Sequence, residues 1–166
     1  MEPCPRHPDR PPPPDVLSPG ARAPSFTLPD ASTGAPVTDP WTERPTVLAF
    51  FKVTCPVCKM VAPKVAALAR GGARVVGIGE DPPAALRRYA REEGQDVPTL
   101  SEAAPYPVSS AFGIMSVPSI FLVEADGTVA EAVGGWDRDR WNALAAAAGG
   151  GPISEEGDGL PTFRPG

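Results

Sequence analysis

Apolar positions in this chain fall into short, separate runs, and their spacing changes from one run to the next. Thr46–Lys52 (TVLAFFK) is apolar without alternation and rich in β-formers, the signature of a strand buried on both faces. Arg74–Gly79 (RVVGIG) and Ser119–Val123 (SIFLV) repeat that pattern. Between them the period lengthens. In Pro56–Arg70, Val57, Val61, Val65 and Leu68 share one helical face, and Pro63 is expected to kink the helix. Pro83–Glu93 predicts a second helix, with Leu86, Tyr89 and Ala90 inward and Gly94 as its stop. Trp141, Leu144, Ala145 and Ala148 make a last helical stripe, which Asp137 can cap and the Gly149–Gly151 run ends.

Polar punctuation sets the connections. Asp30–Gly34 separates Phe26 and Leu28 from Val37 and predicts a short, irregular hairpin. Asp126-Gly127 is a hairpin turn, with Thr128–Val133 as the returning strand. Pro98–Pro107 reads as a loop, and Val108–Phe112 as one helical turn. The order is hairpin, β, α, β, α, β, β, α. A strand–helix–strand unit implies a right-handed parallel crossover, and the later turn adds an antiparallel pair. The expected fold is α/β: a mixed central β-sheet flanked by helices on both faces, with an N-terminal β-hairpin.

Composition divides the chain. Pro is 24 of 166 residues, about three times the ordinary share, and eight of them fall in residues 1–20. Residues 1–20 are therefore expected to be a disordered, Pro-rich tail, extended around Pro11–Pro14. Residues 149–166 hold six Gly and three Pro and are expected to be a flexible acidic tail. Residues 21–148 remain as one domain of ordinary size. The net charge of −5 and the lack of a basic stripe argue against nucleic acid as a partner. No apolar run is long enough to span a bilayer, and Met1–Gly20 has no apolar signal-peptide core, so the expected setting is the cytoplasm, away from membranes. A monomer is expected.

The candidate chemistry is Cys55-Pro56-Val57-Cys58, which follows a buried strand and opens a helix. Two intervening residues on a first helical turn bring the sulfurs within disulfide reach. They leave the first sulfur at the helix N-terminus, where unpaired N–H groups and the helix dipole favour negative charge. Cys55 is then the attacking thiol, and the more shielded Cys58 resolves the mixed disulfide. Pro56 suits the first helical turn, where its missing N–H loses no bond. The alternative is a zinc half-site, which needs four ligands; the only other Cys is Cys4 and the only His is His7, both in the N-terminal tail. Two buried, inert cysteines are a further alternative.

These residues carry a resemblance to the thioredoxin superfamily. Cys58-Lys59-Met60-Val61-Ala62-Pro63 is similar to the second half of its active-site helix, and Val117-Pro118 to its cis-proline, which lies beside the CxxC and helps bind the substrate backbone. Ala23–Leu28, Asp96–Leu100, Ala111–Ile114 and Ser116–Thr128 resemble the TlpA/ResA-like disulfide reductases, which share a core with peroxiredoxins. The likeness covers about residues 21–148. It implies a thioredoxin-like fold and thiol–disulfide exchange with protein or small-thiol substrates, in the reductive direction. It also implies an unidentified thiol electron donor, no cofactor beyond the cysteine pair and no metal. Thr54, Pro56, Val117 and Pro118 become the expected substrate contacts. The sequence departs from the family pattern at Thr54, where thioredoxins carry Trp, and in its Pro-Val dipeptide. Ala49 replaces a buried Asp, and Val61 replaces the Glu of ResA-like proteins.

Other residues are weighed against this frame. Lys52, three residues before Cys55, is either an influence on the thiol or a solvated strand end. Glu80 and Asp81 follow the second strand and are candidates for the missing acid, or ordinary carboxylates at a helix start. Trp136 and Trp141 read as packing. Two other functions remain open. A peroxiredoxin-like thiol peroxidase would need a Pro-x-x-x-Thr-x-x-Cys loop, but Lys52 stands at the Thr position. A non-catalytic metal-binding or adaptor module is the other.

Overall fold

A computed structural model describes residues 17–166. Its elements, in chain order, are β1 (Thr27–Pro29), β2 (Pro36–Thr38), β3 (Thr46–Phe51), α1 (Pro56–Arg70), β4 (Arg74–Gly79), α2 (Pro83–Glu93), β5 (Thr99–Ser101), α3 (Pro107–Ala111), β6 (Ser119–Val123), β7 (Val129–Gly134), β8 (Trp136–Asp137), α4 (Arg138–Ala147) and β9 (Phe163–Arg164). Five strands make the central sheet, in the order β5-β4-β3-β6-β7. β3, β4 and β5 run parallel; β6 is antiparallel to β3, and β7 to β6. β1 and β2 form a separate antiparallel hairpin. The expected mixed α/β fold is the observed one.

The unalternated strands are explained by cover on both faces. On one face Leu48, Phe50, Val76, Ile78, Phe121 and Val123 pack with Phe26, Trp41 and Phe112. On the other, Val47, Ala49, Val75, Ile120 and Leu122 meet Val61, Val65 and Leu68 of α1 and Trp141 and Leu144 of α4. Trp136 and Trp141 are fully buried with ring centroids 5.0 Å apart, so both are packing residues. α1 runs unbroken through Pro63. β5 lies inside the expected loop. Its three residues make too short a run to show a pattern, and pairing with β4 creates the strand.

The expected tails need correction. Residues 1–16 lie outside the described residues, but 17–20 already belong to the domain: the Leu17 amide donates to Phe112 O and the Gly20 amide to Val129 O. Residues 149–166 are not a loose tail. They fold back as a strap across α1 and α4, and β9 pairs with β8. Arg138, 7% exposed, organises the strap. Its guanidinium donates to Ser154 Oγ, Thr162 Oγ1 and the Leu160 carbonyl, and its amide donates to Thr162 O. Trp136 Nε1 donates to Pro161 O at 2.7 Å. Polar pinning of this kind leaves no hydrophobic period, which is why composition alone reads the segment as flexible.

Asp158 anchors the strap. Ser154 Oγ donates to it at 2.5 Å, Lys64 Nζ on α1 lies at 2.9 Å, and the Leu160 amide donates at 3.0 Å. The Ser154 hydroxyl, then Lys64, then that amide hold the carboxyl well below the usual carboxylate range. A carboxylate favoured in the folded state stabilises fully above the ordinary Asp value of about 3.9. That contribution is lost as pH falls through the lowered folded value. Protection of the Arg138 amide, bonded to Thr162 O, measured against its intrinsic exchange rate, is expected to fall in acid before that of the central strands. Asp158→Asn should remove most of this pH dependence by loosening the strap at neutral pH. Uniform acid protection of Arg138 and the sheet would contradict this role.

Candidate active site

The site forms where the carboxyl ends of β3 and β4 meet the start of β6, the edge at which α/β sheets place their chemistry. β3 ends at Phe51, and the chain turns over four residues into α1. Two bonds fix that turn: the Cys55 amide donates to Lys52 O at 3.1 Å, and the Val53 amide donates to Asp81 Oδ2 at 2.9 Å. Asp81 stands just past β4, so the neighbouring strand holds the loop that presents Cys55.

Cys55 is the N-cap of α1, with extended backbone (φ −83°, ψ 117°). Its Sγ accepts the Cys58 amide at 3.1 Å and so takes up one of the N–H groups that a helix start leaves unpaired. The Cys55 thiol donates to the Val117 carbonyl at 3.4 Å, across 62 residues of sequence. The Val117–Pro118 bond is cis, as the resemblance implied. Both thiols are free in this structure; Cys55 is half-buried and Cys58 is 1% exposed. Burial pushes the Cys58 thiol up, and its hydrogen bond with Cys55 adds to the effect. One sulfur is presented and hydrogen-bonded, and its partner is held neutral beneath it.

Of the other expected site residues, Pro56 opens α1 and is exposed, and Thr54 is exposed at the rim. Val117 is half-buried against the core on both sides of the site, and Pro118 is buried. Lys52 is engaged elsewhere: its Nζ lies 3.9 Å from Glu80 and 5.7 Å from the centre of the Tyr106 ring. Glu80 is thereby the partner of Lys52, and Asp81 the acceptor for Val53. Among the described residues no group of three or more His, Cys, Asp and Glu is placed to hold a metal ion, and Cys4 and His7 lie outside them.

Sequence reasoning missed three neighbours. Met115, two residues before Val117, is 71% exposed and gives the rim an apolar side chain. Glu102, 1% exposed, accepts from the Val108 and Ser109 amides and from Ser109 Oγ, and so fixes α3 behind the site. The end of the strap abuts the cis-proline loop: a Cβ on Gly166 would stand 2.5 Å from the Val117 carbonyl oxygen. None of the three carries a periodic or spaced signal in sequence.

Known proteins share the family and the fold. Residues 19–132 match the AhpC/TSA family. Over 123 residues the chain is 33% identical to methylamine utilization protein MauD of Methylorubrum extorquens, a match that covers 70% of this chain and 56% of that protein. The chain thus spans little more than half of that relative's length. The thioredoxin domain of a thiol–disulfide oxidoreductase from Bacteroides vulgatus superposes with a TM-score of 0.67 at 18% identity, over 80% of this chain and 99% of that domain. A peroxidoxin from Mycobacterium tuberculosis superposes with a TM-score of 0.65 at 25% identity, over 80% of this chain and 96% of that one. The chain belongs to the AhpC/TSA family and has the thioredoxin-like fold of thiol–disulfide oxidoreductases.

Proposed function

We propose that this protein exchanges disulfides with protein or small-thiol substrates through Cys55 and Cys58, in the reductive direction. The observation that supports this best is the asymmetry of the two sulfurs. Cys55 is half-buried and accepts a helix N-terminal amide, while Cys58 is shut away one turn inside. Cys55 thiolate attacks a substrate disulfide, forms a mixed disulfide and releases one substrate thiol. Cys58 then attacks Cys55 Sγ, closing the intramolecular disulfide and releasing the second thiol. Two electrons pass from the pair to the substrate. Val117, Pro118, Thr54 and Pro56 frame the sulfur and are the proposed substrate contacts. A separate thiol donor re-reduces the pair, no further cofactor takes part, and the protein works as a monomer in the cytoplasm. No helix among the described residues is long and apolar enough to cross a membrane.

The test is the reduction potential of the pair against glutathione, read by alkylation and mass shift. A value near or below about −250 mV is the expected result for a reductant. A value above about −180 mV would reverse the direction to oxidant or isomerase. If no Cys55–Cys58 disulfide forms at any redox poise, the exchange reading fails. A second reading, a thiol peroxidase, is favoured by the likeness to the peroxidoxin. Saturable peroxide consumption with sulfenic acid at Cys55 would establish it.

A further inference from the structure

Cys58 has to lose its proton before it can close the pair, and its surroundings oppose that loss. Its cluster consists of Ala31, Phe51, Ala62, Leu86 and Tyr89, with Val53, Cys55 and Val117 at the edge. Ala49 and Val61 belong to the apolar cluster on the other side of the helix and supply no carboxylate. Tyr89 brings a hydroxyl into the apolar cluster that holds Cys58. It is 4% exposed, and its ring stacks on Phe51 with centroids 4.9 Å apart. Its hydroxyl is buried with no hydrogen-bond partner among the described residues. An unpaired buried hydroxyl costs free energy and asks for a reason.

Resting on the exchange reading above, we propose that the Tyr89 hydroxyl is a positioning donor for Cys58, meeting its thiolate as it forms during closure of the disulfide. The Tyr89 hydroxyl makes no hydrogen bond to Cys58 Sγ in the reduced state, where a protonated thiol is a poor acceptor. A charged sulfur is a much better acceptor. In the closing step the Cys58 S–H bond breaks and its proton passes to solvent. The Cys58 Sγ–Cys55 Sγ bond forms, the bond from Cys55 to the substrate sulfur breaks, and that sulfur leaves with the electron pair and takes up a proton. Tyr89 gives up no proton of its own. Its phenol is pushed up by burial first and then by negative charge on Cys58, which suits a group that donates without ionising.

Charged groups around this place belong in any pH profile. Lys59 on α1, Arg88, Glu92 and Glu93 on α2, and Val53 line the cleft beside Tyr89. Arg88 and Glu92 pair at 2.7 Å, and Asp81 is bonded to the Val53 amide. All of them are unchanged when the tyrosine oxygen alone is removed, so Tyr89→Phe isolates the hydroxyl.

The experiment uses the full chain with Cys4→Ser and an aromatic disulfide reagent that releases a coloured thiolate. Attack by Cys55 releases the first equivalent, and closure by Cys58 releases the second. Tyr89→Phe is expected to leave the first phase unchanged. The midpoint of the second phase should move up by about one pH unit or more. Thiolate absorbance of Cys58 in the Cys55→Ser background should shift the same way. Superimposable second phases in wild type and Tyr89→Phe would overturn the proposal. A wild type that releases only the first equivalent would overturn the exchange reading itself, and this proposal with it. A further check leaves Tyr89 intact. In Tyr106→Phe protein, the infrared band of the remaining tyrosine should report a new hydrogen bond as Cys58 ionises, and a band constant with pH counts against it.

Discussion

Cys55→Ser should reduce disulfide exchange to the rate of the uncatalysed thiol mixture, whereas Cys58→Ser should retain the first half of the reaction and accumulate mixed disulfides. The two substitutions are equal in chemistry and unequal in place. Cys55 Sγ lies at the helix start with the Cys58 amide and the Val117 carbonyl as its partners. Without it, the remaining Cys58 is 1% exposed, and burial keeps it protonated. A protonated, enclosed thiol does not attack a disulfide in solution. Without Cys58, the half-buried Cys55 sulfur still reacts, but nothing within reach displaces the substrate from it. Incubation with a disulfide-bonded protein such as insulin, followed by non-reducing gels and mass spectrometry, separates the two outcomes. Both variants should carry Cys4→Ser so that only the pair is scored. Trapped adducts on Cys55→Ser rather than Cys58→Ser would reverse the assigned roles.

The largest expected effect on stability is that of Phe112→Ala, about 3–5 kcal/mol. Phe112 is fully buried, and its ring lies 5.1 Å from Phe50, 5.3 Å from Phe121 and 6.1 Å from Phe26. It is the place where the segment after α3 locks into the central strands and the N-terminal hairpin at once. Truncation leaves a cavity between three elements, each held by its own hydrogen bonds and therefore slow to collapse into it. Urea unfolding at equilibrium measures the cost. Phe163→Ala supplies the contrast: that ring is 59% exposed, and its loss should move stability by no more than about 0.5 kcal/mol. Equal effects from the two substitutions would mean that the aromatic cluster does not hold the layers together.

The residues that announced themselves in sequence were those whose role rests on a local rule. The apolar run at Thr46–Phe51 is a strand because both of its faces are covered. Cys55 and Cys58 meet because three residues span one helical turn, and Asp137 caps α4 because its side chain reaches the Arg140 amide. The sulfur–carbonyl contact with Val117 depends on β6 lying beside β3, and a family resemblance rather than a spacing rule brought Val117 and Pro118 into view. What stayed hidden depends on long-range polar contacts. Asp81 looks like any carboxylate before a helix until Val53 is seen to need an acceptor. Arg138 follows a capping Asp with no apolar period to mark it as inward, yet it is buried beneath a strap 16 to 24 residues away. Tyr89 was legible as an inward-facing residue of α2. That its hydroxyl ends unpaired in the cluster around Cys58 could not be read from the helical period, which says which way a side chain points and not what it meets.

The strap has a practical consequence for anyone who handles the protein. Residues 164–166 crowd Gly135 and the Val117 carbonyl, so polypeptide joined after Gly166 would emerge at the rim of the cysteine site. A purification tag or fluorescent reporter placed there would crowd the Val117 carbonyl beside Cys55 and would tug on β9. Assays on material tagged after Gly166 would report on the tag's interference as much as on the cysteine pair.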